Sequence, residues 1–405
     1  MRLHISGLQG SAAALLLAGL PEYGTTTLFI ANDPEEAGYL YNDFMQIRND
    51  NRVLFFPSGY KRALKYGQTD PAADILRTDT INRLQQVDES LIVVTYPEAL
   101  CEKVASNEEL HRNTLRLAKG EKCDLASVAD FLTGYGFERV DYVYEPGQFA
   151  VRGSIVDVYS FSSDLPYRID TFGDEIESIR AFNIDTQLSQ DPVNEIFIIP
   201  DLQAGSTSGI SLLQFIDKNT LLAVKDLAWV LERMHSVATD TISQQLLLTE
   251  EGDLHAKEKL IDTDDFSRYV LDFKRIDYGV KSFRDETGAT LSLNCSPQPI
   301  YHKNFDLVSE SFSSLLQDGY KLYILSDSEK QTQRIANIFE DKGENIPFTP
   351  VSKTLHEGFI DNELHLCFFT DHQLFDRFHK YQLRSDKARS GKLALSLKEL
   401  RQFEV

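Results

Sequence analysis

The chain has 405 residues, of which 42% are hydrophobic and 25% charged, a composition that predicts a globular protein of about two to four domains. Its formal net charge of −21 opposes binding to nucleic-acid phosphates, and no apolar stretch reaches the ~18 residues that a membrane span needs. The four cysteines are scattered without a C-x-x-C pair, which argues against a zinc site or a disulfide framework and favours a cytoplasmic protein without cofactor or metal.

The first segment has the outline of a phosphate-binding loop. Residues 7–14 read GLQGSAAA and lead into a predicted helix at 13–18. A functional loop of the form G-x-x-G-x-G-K-[ST] directs its Lys to the terminal phosphates and its hydroxyl to Mg²⁺. Here Ala13 and Ala14 occupy those two positions. The residues that keep the frame are Gly7, Gly10 and Ser11. Taken alone, the segment is better interpreted as a turn followed by an Ala/Leu helix.

Residues 1–117 alternate short apolar runs with helical stretches. The apolar runs are rich in β-forming residues and flanked by turn residues, so they predict buried parallel strands at 28–31, 53–56 and 91–95. Helices are predicted at 74–84 and 98–104. This alternation is typical of a doubly wound α/β domain.

Residues 118–202 have a different pattern, with alternating aromatic and β-branched residues after one amphipathic helix at 124–135. Strands are predicted at 139–144, 148–152, 154–160, 167–172 and 176–183. This predicts an α+β domain with an antiparallel sheet, inserted into the α/β pattern.

Residues 203–297 return to mixed α/β, with a strand at 220–224 and a helix at 250–259. A further small α/β domain is predicted at 298–405. Its predicted strands lie at 321–325 and 365–370, its helix at 328–342, and a basic linker at 385–392.

Ordered motifs in the inserted domain carry a family resemblance. The runs EPGQFAVRGSIVDVY at 145–159, YRIDTFGDEIESIR at 167–180 and FNIDTQ at 182–187 resemble the domain shared by the excinuclease B subunit (UvrB) and bacterial transcription-repair coupling factors (Mfd). The wording FAVRG, DEIxSIR and DTQ is closer to the coupling factors. The resemblance implies a helicase-type P-loop domain, degenerate and split by the inserted domain into residues 1–117 and 203–297.

The resemblance also implies that the ATPase chemistry is lost. The acidic motif expected after an apolar strand reads Lys225-Asp226 here, and a Lys at the metal position would repel Mg²⁺. Together with Ala13 and Ala14, this removes the electrostatic groups that drive phosphoryl transfer. The region is therefore expected not to be an enzyme, although the longer family proteins are ATP-dependent DNA translocases. Their contacts with RNA polymerase and DNA are expected in domains outside this chain, and the chain itself is expected to be a monomer.

The expected partner is the excinuclease A subunit (UvrA). The contact residues that the resemblance implies are Arg152, Arg168, Asp170, Phe172 and, more loosely, Arg139. Period-2 alternation places Arg168, Asp170 and Phe172 on one face of a strand. Guanidinium and aromatic groups are enriched at interface centres. The alternative is an ordinary solvated sheet, with Arg168 or Arg152 paired to Asp170 or Glu175.

Three functions remain open on the sequence. The first is a binding module that recruits UvrA to stalled transcription complexes. The second is a nucleotide-dependent helicase-type ATPase resembling UvrB, against which Ala13, Ala14 and Lys225 argue. The third is an autoinhibitory cap that docks on another part of its own chain.

Overall fold

The structure is a computed structural model that describes residues 2–20, 24–48, 51–59, 71–85, 90–161, 163, 165–198, 209–248, 260–279 and 288–377. Within these ranges, the strands form a seven-stranded, a six-stranded, a five-stranded and a two-stranded sheet. The mixed α/β class predicted from the sequence is therefore correct. Two predicted segments, the helix at 250–259 and the linker at 385–392, lie outside the described residues.

The seven-stranded sheet is entirely parallel and combines strands from residues 2–95 with strands from residues 221–292. Its strands are β1 (Arg2–Ser6), β2 (Thr27–Ile30), β3 (Val53–Phe55), β4 (Ile92–Thr95), β13 (Leu221–Val224), β14 (Lys274–Asp277) and β15 (Ala289–Ser292). The spatial order is β15-β1-β14-β13-β2-β4-β3. All four residues of β2 and of β4 are buried, because helices cover both faces of a parallel sheet.

Helices flank this sheet, and together with it they form what we call the seven-stranded unit. They are α1 (Ala12–Leu17), α2 (Pro34–Arg48), α3 (Pro71–Gln85), α4 (Pro97–Cys101), α5 (Asn107–Asn113), α7 (Leu212–Phe215), α8 (Leu227–Leu248) and α9 (Thr263–Val270). Their ends follow ordinary capping chemistry: Pro97 opens α4, and the Asp262 carboxylate caps α9. The sequence analysis located α1, α3 and α4, but it did not predict the long helix α8.

The six-stranded sheet comprises β6 (Glu138–Arg139), β7 (Gln148–Arg152), β8 (Ile155–Val158), β9 (Tyr167–Phe172), β10 (Glu175–Phe182) and β11 (Ser189–Val193), side by side in that order. Helix α6 (Leu125–Gly134) begins after its cap Asp124, and its Val128 and Leu132 share a core with the sheet. A separate pair, β5 (Leu115–Ala118) with β12 (Glu195–Ile198), contributes Leu117, Ile196 and Ile198 to the same core. We call this assembly the six-stranded unit.

The predicted strand at 139–144 was wrong in extent and direction. Only β6 is a strand, and it runs parallel to β7, whereas β7 to β11 are antiparallel to their neighbours. The physical reason is that side chains satisfy the backbone of the following residues. The Gln148 side chain accepts from the Tyr144 and Glu145 N–H groups at 3.0 and 3.1 Å, and Arg152 donates to the Asp141 carbonyl at 2.9 Å.

The five-stranded unit follows in the chain. It contains β16 (Cys295–Pro297), β17 (Lys321–Leu325), β18 (Thr349–Val351), β19 (Phe359–Asp361) and β20 (Leu366–Thr370), with α10 (Phe305–Gln317), α11 (Glu329–Asp341) and α12 (Asp371–Leu374). Its spatial order is β16-β19-β20-β17-β18, with β17 parallel to both of its neighbours. The predicted β17, β20 and α11 are confirmed. A search of the described residues finds no helix long and apolar enough to cross a bilayer.

Candidate functional site

One face of the six-stranded sheet carries a cluster of charged side chains beside a small apolar core, whereas the other face packs in the main core of the unit. Along β9, Ile169 and Thr171 are buried, whereas Phe172 at the end of the strand is exposed. Cross-strand register aligns Arg168 with Asp157 of β8, and Asp170 with Ile155. We call the residues Arg152, Asp157, Arg168, Asp170 and Phe172 the polar face. The alternation predicted for β9 from its sequence is therefore confirmed.

The centre of the polar face is a fully buried carboxylate. Asp157 has 0% exposure, and both of its oxygens accept from Arg168, from Nε at 2.7 Å and from Nη2 at 2.9 Å. These hydrogen bonds raise the pKa of Arg168 above its ordinary value. Two parallel N–H···O bonds fix the plane of the guanidinium as well as its position.

Arg152 reaches the same carboxylate from the opposite side of β8. It forms an ion pair with Asp157 and stacks over the Tyr142 ring, with the guanidinium carbon 5.1 Å from the ring centre. Its side chain keeps 37% exposure, compared with 17% for Arg168. Two arginines share one aspartate, so this cluster carries a net positive charge beside solvent.

A loop carbonyl and an aromatic ring also contact the Arg168 guanidinium. Its Nη1 donates to the Gln187 carbonyl at 3.2 Å, and its guanidinium carbon lies 4.6 Å from the centre of the Phe182 ring. Gln187 adopts a left-handed backbone conformation with φ of 57°. Arg168 thus uses three of the five N–H donors that a guanidinium has, and the remaining two can serve a partner.

Phe172 is the most exposed large apolar side chain of this unit, at 81% of its full area. It ends β9 immediately before the turn glycine Gly173, which has a φ of 69°. Burial of this ring against a partner would remove a large apolar area from water, so Phe172 is a candidate contact residue. Arg139 is exposed on the edge strand β6, apart from the Asp157 cluster.

The alternative of intramolecular ion pairs for the arginines is found in the structure, but with a different partner. Arg168 and Arg152 pair with Asp157, whereas Asp170 accepts from Ser154 at 3.2 Å and lies 3.9 Å from Arg180. Asp170 therefore does not hold Arg168. Sequence reasoning missed Asp157 because it sits in the apolar run IVDV, where only the register with β9 reveals its partners.

The loop that the sequence analysis interpreted as a degenerate phosphate loop is closed by protein groups. The Ser11 N–H donates to the Glu357 carbonyl at 3.2 Å, and the Ser11 hydroxyl accepts from the Glu357 N–H at 3.0 Å. Gly10 has a φ of 51°, and a β-carbon there would lie 2.7 Å from the Gly358 carbonyl oxygen. Ala12 and Ala14 are buried in the first turns of α1. The N–H groups of Ser11 and Ala12 at the start of α1 are thus already engaged by the Glu357 and Gln9 carbonyls.

The residues predicted to replace the acidic metal motif, Lys225 and Asp226, also make contacts within the protein. Lys225 follows β13 and forms an ion pair with Glu36 of α2. Asp226 accepts from the Trp229 N–H at 3.1 Å, which caps the start of α8. No group of three or more metal-binding side chains occurs within the ranges that the structure describes.

Known proteins match this chain in two ways. Residues 115–203 match the family model of the UvrB interaction domain. A transcription-repair-coupling factor from Bacillus subtilis (strain 168) is 22% identical over an alignment of 473 residues, which covers 98% of this chain and 40% of that protein. The corresponding protein of Escherichia coli (strain K12) is 31% identical over 196 residues, 48% of this chain and 17% of that protein.

This chain resembles the N-terminal region of transcription-repair coupling factors. A third relative of the same description, from Staphylococcus aureus (strain bovine RF122 / ET3-1), is 20% identical over 462 residues and covers 96% of the chain. The chain spans about two fifths of the length of the relatives that it matches from end to end, 40% and 39%. The polar face lies within the matched domain.

Replacing Asp157 tests whether this carboxylate holds the polar face together. Asp157→Ala leaves two guanidinium groups without their buried partner, and we expect the six-stranded unit to lose about 3 kcal/mol of its free energy of unfolding. Asp170→Ala is the control, since its ion pair is longer and partly exposed and should contribute less than about 1 kcal/mol. Pulse proteolysis across a urea series, with fragments from residues 115–198 identified by mass spectrometry, measures both. Equal losses in the two variants would contradict the central role of Asp157.

Proposed function

We propose that the polar face binds UvrA and that this chain is the recruitment module of a transcription-repair coupling factor. The observation that carries the proposal is the exposed Phe172 beside an arginine pair held by buried Asp157, inside the part of the chain that matches the UvrB interaction domain. The match to the UvrB interaction domain supports a partner in excision repair.

The geometry supports a specific division of labour. Phe172 supplies apolar area that a partner pocket would remove from water. Arg152 and the two unused N–H groups of Arg168 supply planar, charge-assisted donors for carboxylates on the partner. Since Asp157 fixes both side chains before binding, little side-chain entropy is lost on association.

Two alternatives are weighed against this proposal. A nucleotide-dependent ATPase is disfavoured because the Ser11 N–H, the Gly10 surroundings and the former metal position are all occupied by protein groups. An autoinhibitory cap would use the same polar face to bind another segment of a longer protein. The proposal does not include contacts with RNA polymerase or DNA. The resemblance assigns those contacts to other parts of the family proteins.

We also propose the four-part organisation predicted from the sequence and a cytoplasmic location. The single parallel sheet built from residues 2–95 and 221–292 supports a P-loop domain that the six-stranded unit interrupts. The pairing of β5 with β12 favours an insertion that starts at about residue 115.

Alanine variants of the polar face test UvrA binding. Phe172→Ala and Arg152→Ala should each weaken UvrA binding about 30-fold, the equivalent of about 2 kcal/mol for an interface anchor. Arg168→Ala should weaken it at least as much, because it also frees the Gln187 loop. Isothermal titration calorimetry with purified UvrA measures these affinities, and circular dichroism checks the fold.

Matched controls lie in the same unit on the two-stranded sheet. Phe197 is 48% exposed on β12, and Arg116 of β5 pairs with Glu121 and Glu195. Phe197→Ala and Arg116→Ala should bind UvrA as the wild type does. Arg180 is unsuitable as a control because it contacts Asp170. If the polar-face variants also bind normally, the recruitment proposal fails. If this chain binds UvrA and a longer coupling factor does not, another part of the longer protein masks the polar face. The autoinhibitory cap function is then added to recruitment.

Nucleotide titration tests the loss of ATPase chemistry. We expect no binding of a fluorescent ATP analogue and no Mg²⁺-dependent turnover, and Ala13→Lys alone should not restore either. The reason is that Lys225 still occupies the metal position and Glu357 still engages Ser11. Turnover above the blank that disappears in Gly10→Ala would contradict the proposal.

A further inference from the structure

A segment of the five-stranded unit sits in the former phosphate loop. Residues 353–358, which we call the latch segment, connect β18 to β19. Two hydrogen bonds join the segment to Ser11: the Ser11 N–H donates to the Glu357 carbonyl, and the Glu357 N–H donates to the Ser11 hydroxyl. Ser11 is 4% exposed. The Glu357 carbonyl therefore accepts from the N–H group at the start of α1 to which a phosphate oxygen would otherwise hydrogen-bond.

A buried carboxyl of α2 completes the contact. Asp43 is 3% exposed and accepts from the His356 N–H at 2.6 Å. The Ser11 hydroxyl, which accepts from Glu357, donates its own proton to Asp43. Asp43, Ser11 and the latch segment thus form one chain of hydrogen bonds that crosses from the seven-stranded to the five-stranded unit.

Side-chain contacts surround this chain of hydrogen bonds. The His356 ring stacks on Tyr39, with the ring centres 3.5 Å apart and the planes at 10°. Lys353 donates to the Ile47 carbonyl at 3.3 Å, and the next two residues of the segment, Thr354 and Leu355, are buried. Gly358 can approach Gly10 closely because a β-carbon at position 10 would clash with the Gly358 carbonyl oxygen. The fit is therefore specific in shape as well as in hydrogen bonding.

We propose that the latch segment is a built-in ligand of the loop at residues 7–14 and holds the five-stranded unit on the seven-stranded unit. Because Asp43 is buried at the centre of this contact, docking is expected to depend on its ionisation. The site that bound nucleotide in related ATPases then serves as an intramolecular dock. The contact is independent of the polar face, because all of its residues lie outside the six-stranded unit.

Burial of Asp43 is the physical basis for the dependence on ionisation. Burial raises the pKa of Asp43 from 3.8 to about 7, the hydrogen bonds from Ser11 and His356 lower it, and the nearby Glu357 carboxylate raises it further. The other charged or titratable groups at the contact are His356 and Lys353 on the latch segment, and Tyr39 on α2. The loop from Gly7 to Ser11 contributes no charge.

The sign of the pH effect follows from that shift. The docked state binds a proton that the open state releases, so docking is strongest below pH 3.8 and weakens as pH rises to about 7. Above that pH the carboxyl is ionised in both states and no further change occurs. One proton corresponds to at most a tenfold rise in the opening constant per pH unit.

Hydrogen–deuterium exchange of the full chain tests the latch. After correction for intrinsic exchange, the opening constant of the peptide that carries the His356 and Glu357 amides should rise by up to tenfold per pH unit between pH 5 and 7. It should reach a plateau above pH 8. Asp43→Asn keeps a hydrogen-bond acceptor without charge, so its opening should not depend on pH. Asp43→Leu should lose at least tenfold protection in this peptide, while the Ile324 and Phe369 amides of β17 and β20 keep theirs.

The outcomes separate the latch from general unfolding. A wild-type profile that is flat between pH 5 and 7 would overturn the proposal. An Asp43→Asn profile that follows a pH-dependent wild type would also overturn it and assign the pH effect to another group, such as His356. Full protection of the latch peptide in Asp43→Leu would overturn it as well. If Asp43→Leu also loses protection in β17 and β20, this variant has unfolded the five-stranded unit. The pH profiles of the wild type and of Asp43→Asn then decide whether the proposal holds.

Discussion

The carboxylate of Asp157 organises the polar face and the loops around it. Through Arg152 it fixes the Asp141 carbonyl, and through Arg168 it fixes the Gln187 carbonyl. The segments that carry these carbonyls cover a second small core made of Val143, Ala150, Tyr159, Phe182 and Ile184. A buried ion pair of this kind adds little net stability compared with apolar packing, but it defines side-chain orientation sharply. Orientation is what a binding face requires.

The predicted phosphate loop follows the same physical rule as the polar face. Buried polar groups need partners, and this loop satisfies the N–H and hydroxyl groups of Ser11 from the protein itself. Ser11 does so with Glu357 and Asp43, and Lys225 pairs with Glu36. The polar groups of Ser11 and Lys225 are thus engaged within the protein. This leaves the six-stranded unit, with its exposed Phe172, as the candidate for external binding.

Local patterns were sufficient to predict part of this molecule. Short apolar runs located β2, β4 and β13, and period-2 alternation located the exposed and buried residues of β9. What local patterns could not supply was the pairing between distant residues. The contact of Ser11 with Glu357 spans 346 positions, and the role of Asp157 depends on its register with β9. Helix α8 was missed because the residues that precede its start at Leu227, Lys225 and Asp226, were interpreted only as a lost metal site. The site residues themselves came from the family resemblance, and their contact with UvrA stays a prediction.

A photo-crosslinking phenylalanine at position 172 tests the central claim most directly, because it reports contact and not only affinity. The account predicts that irradiation joins position 172 to UvrA in the mixture of the two purified proteins. The same residue at position 197, which is exposed in the same unit on the two-stranded sheet, should give no product. Crosslinking at position 197 and none at position 172, under conditions where both variants bind UvrA, would contradict the account.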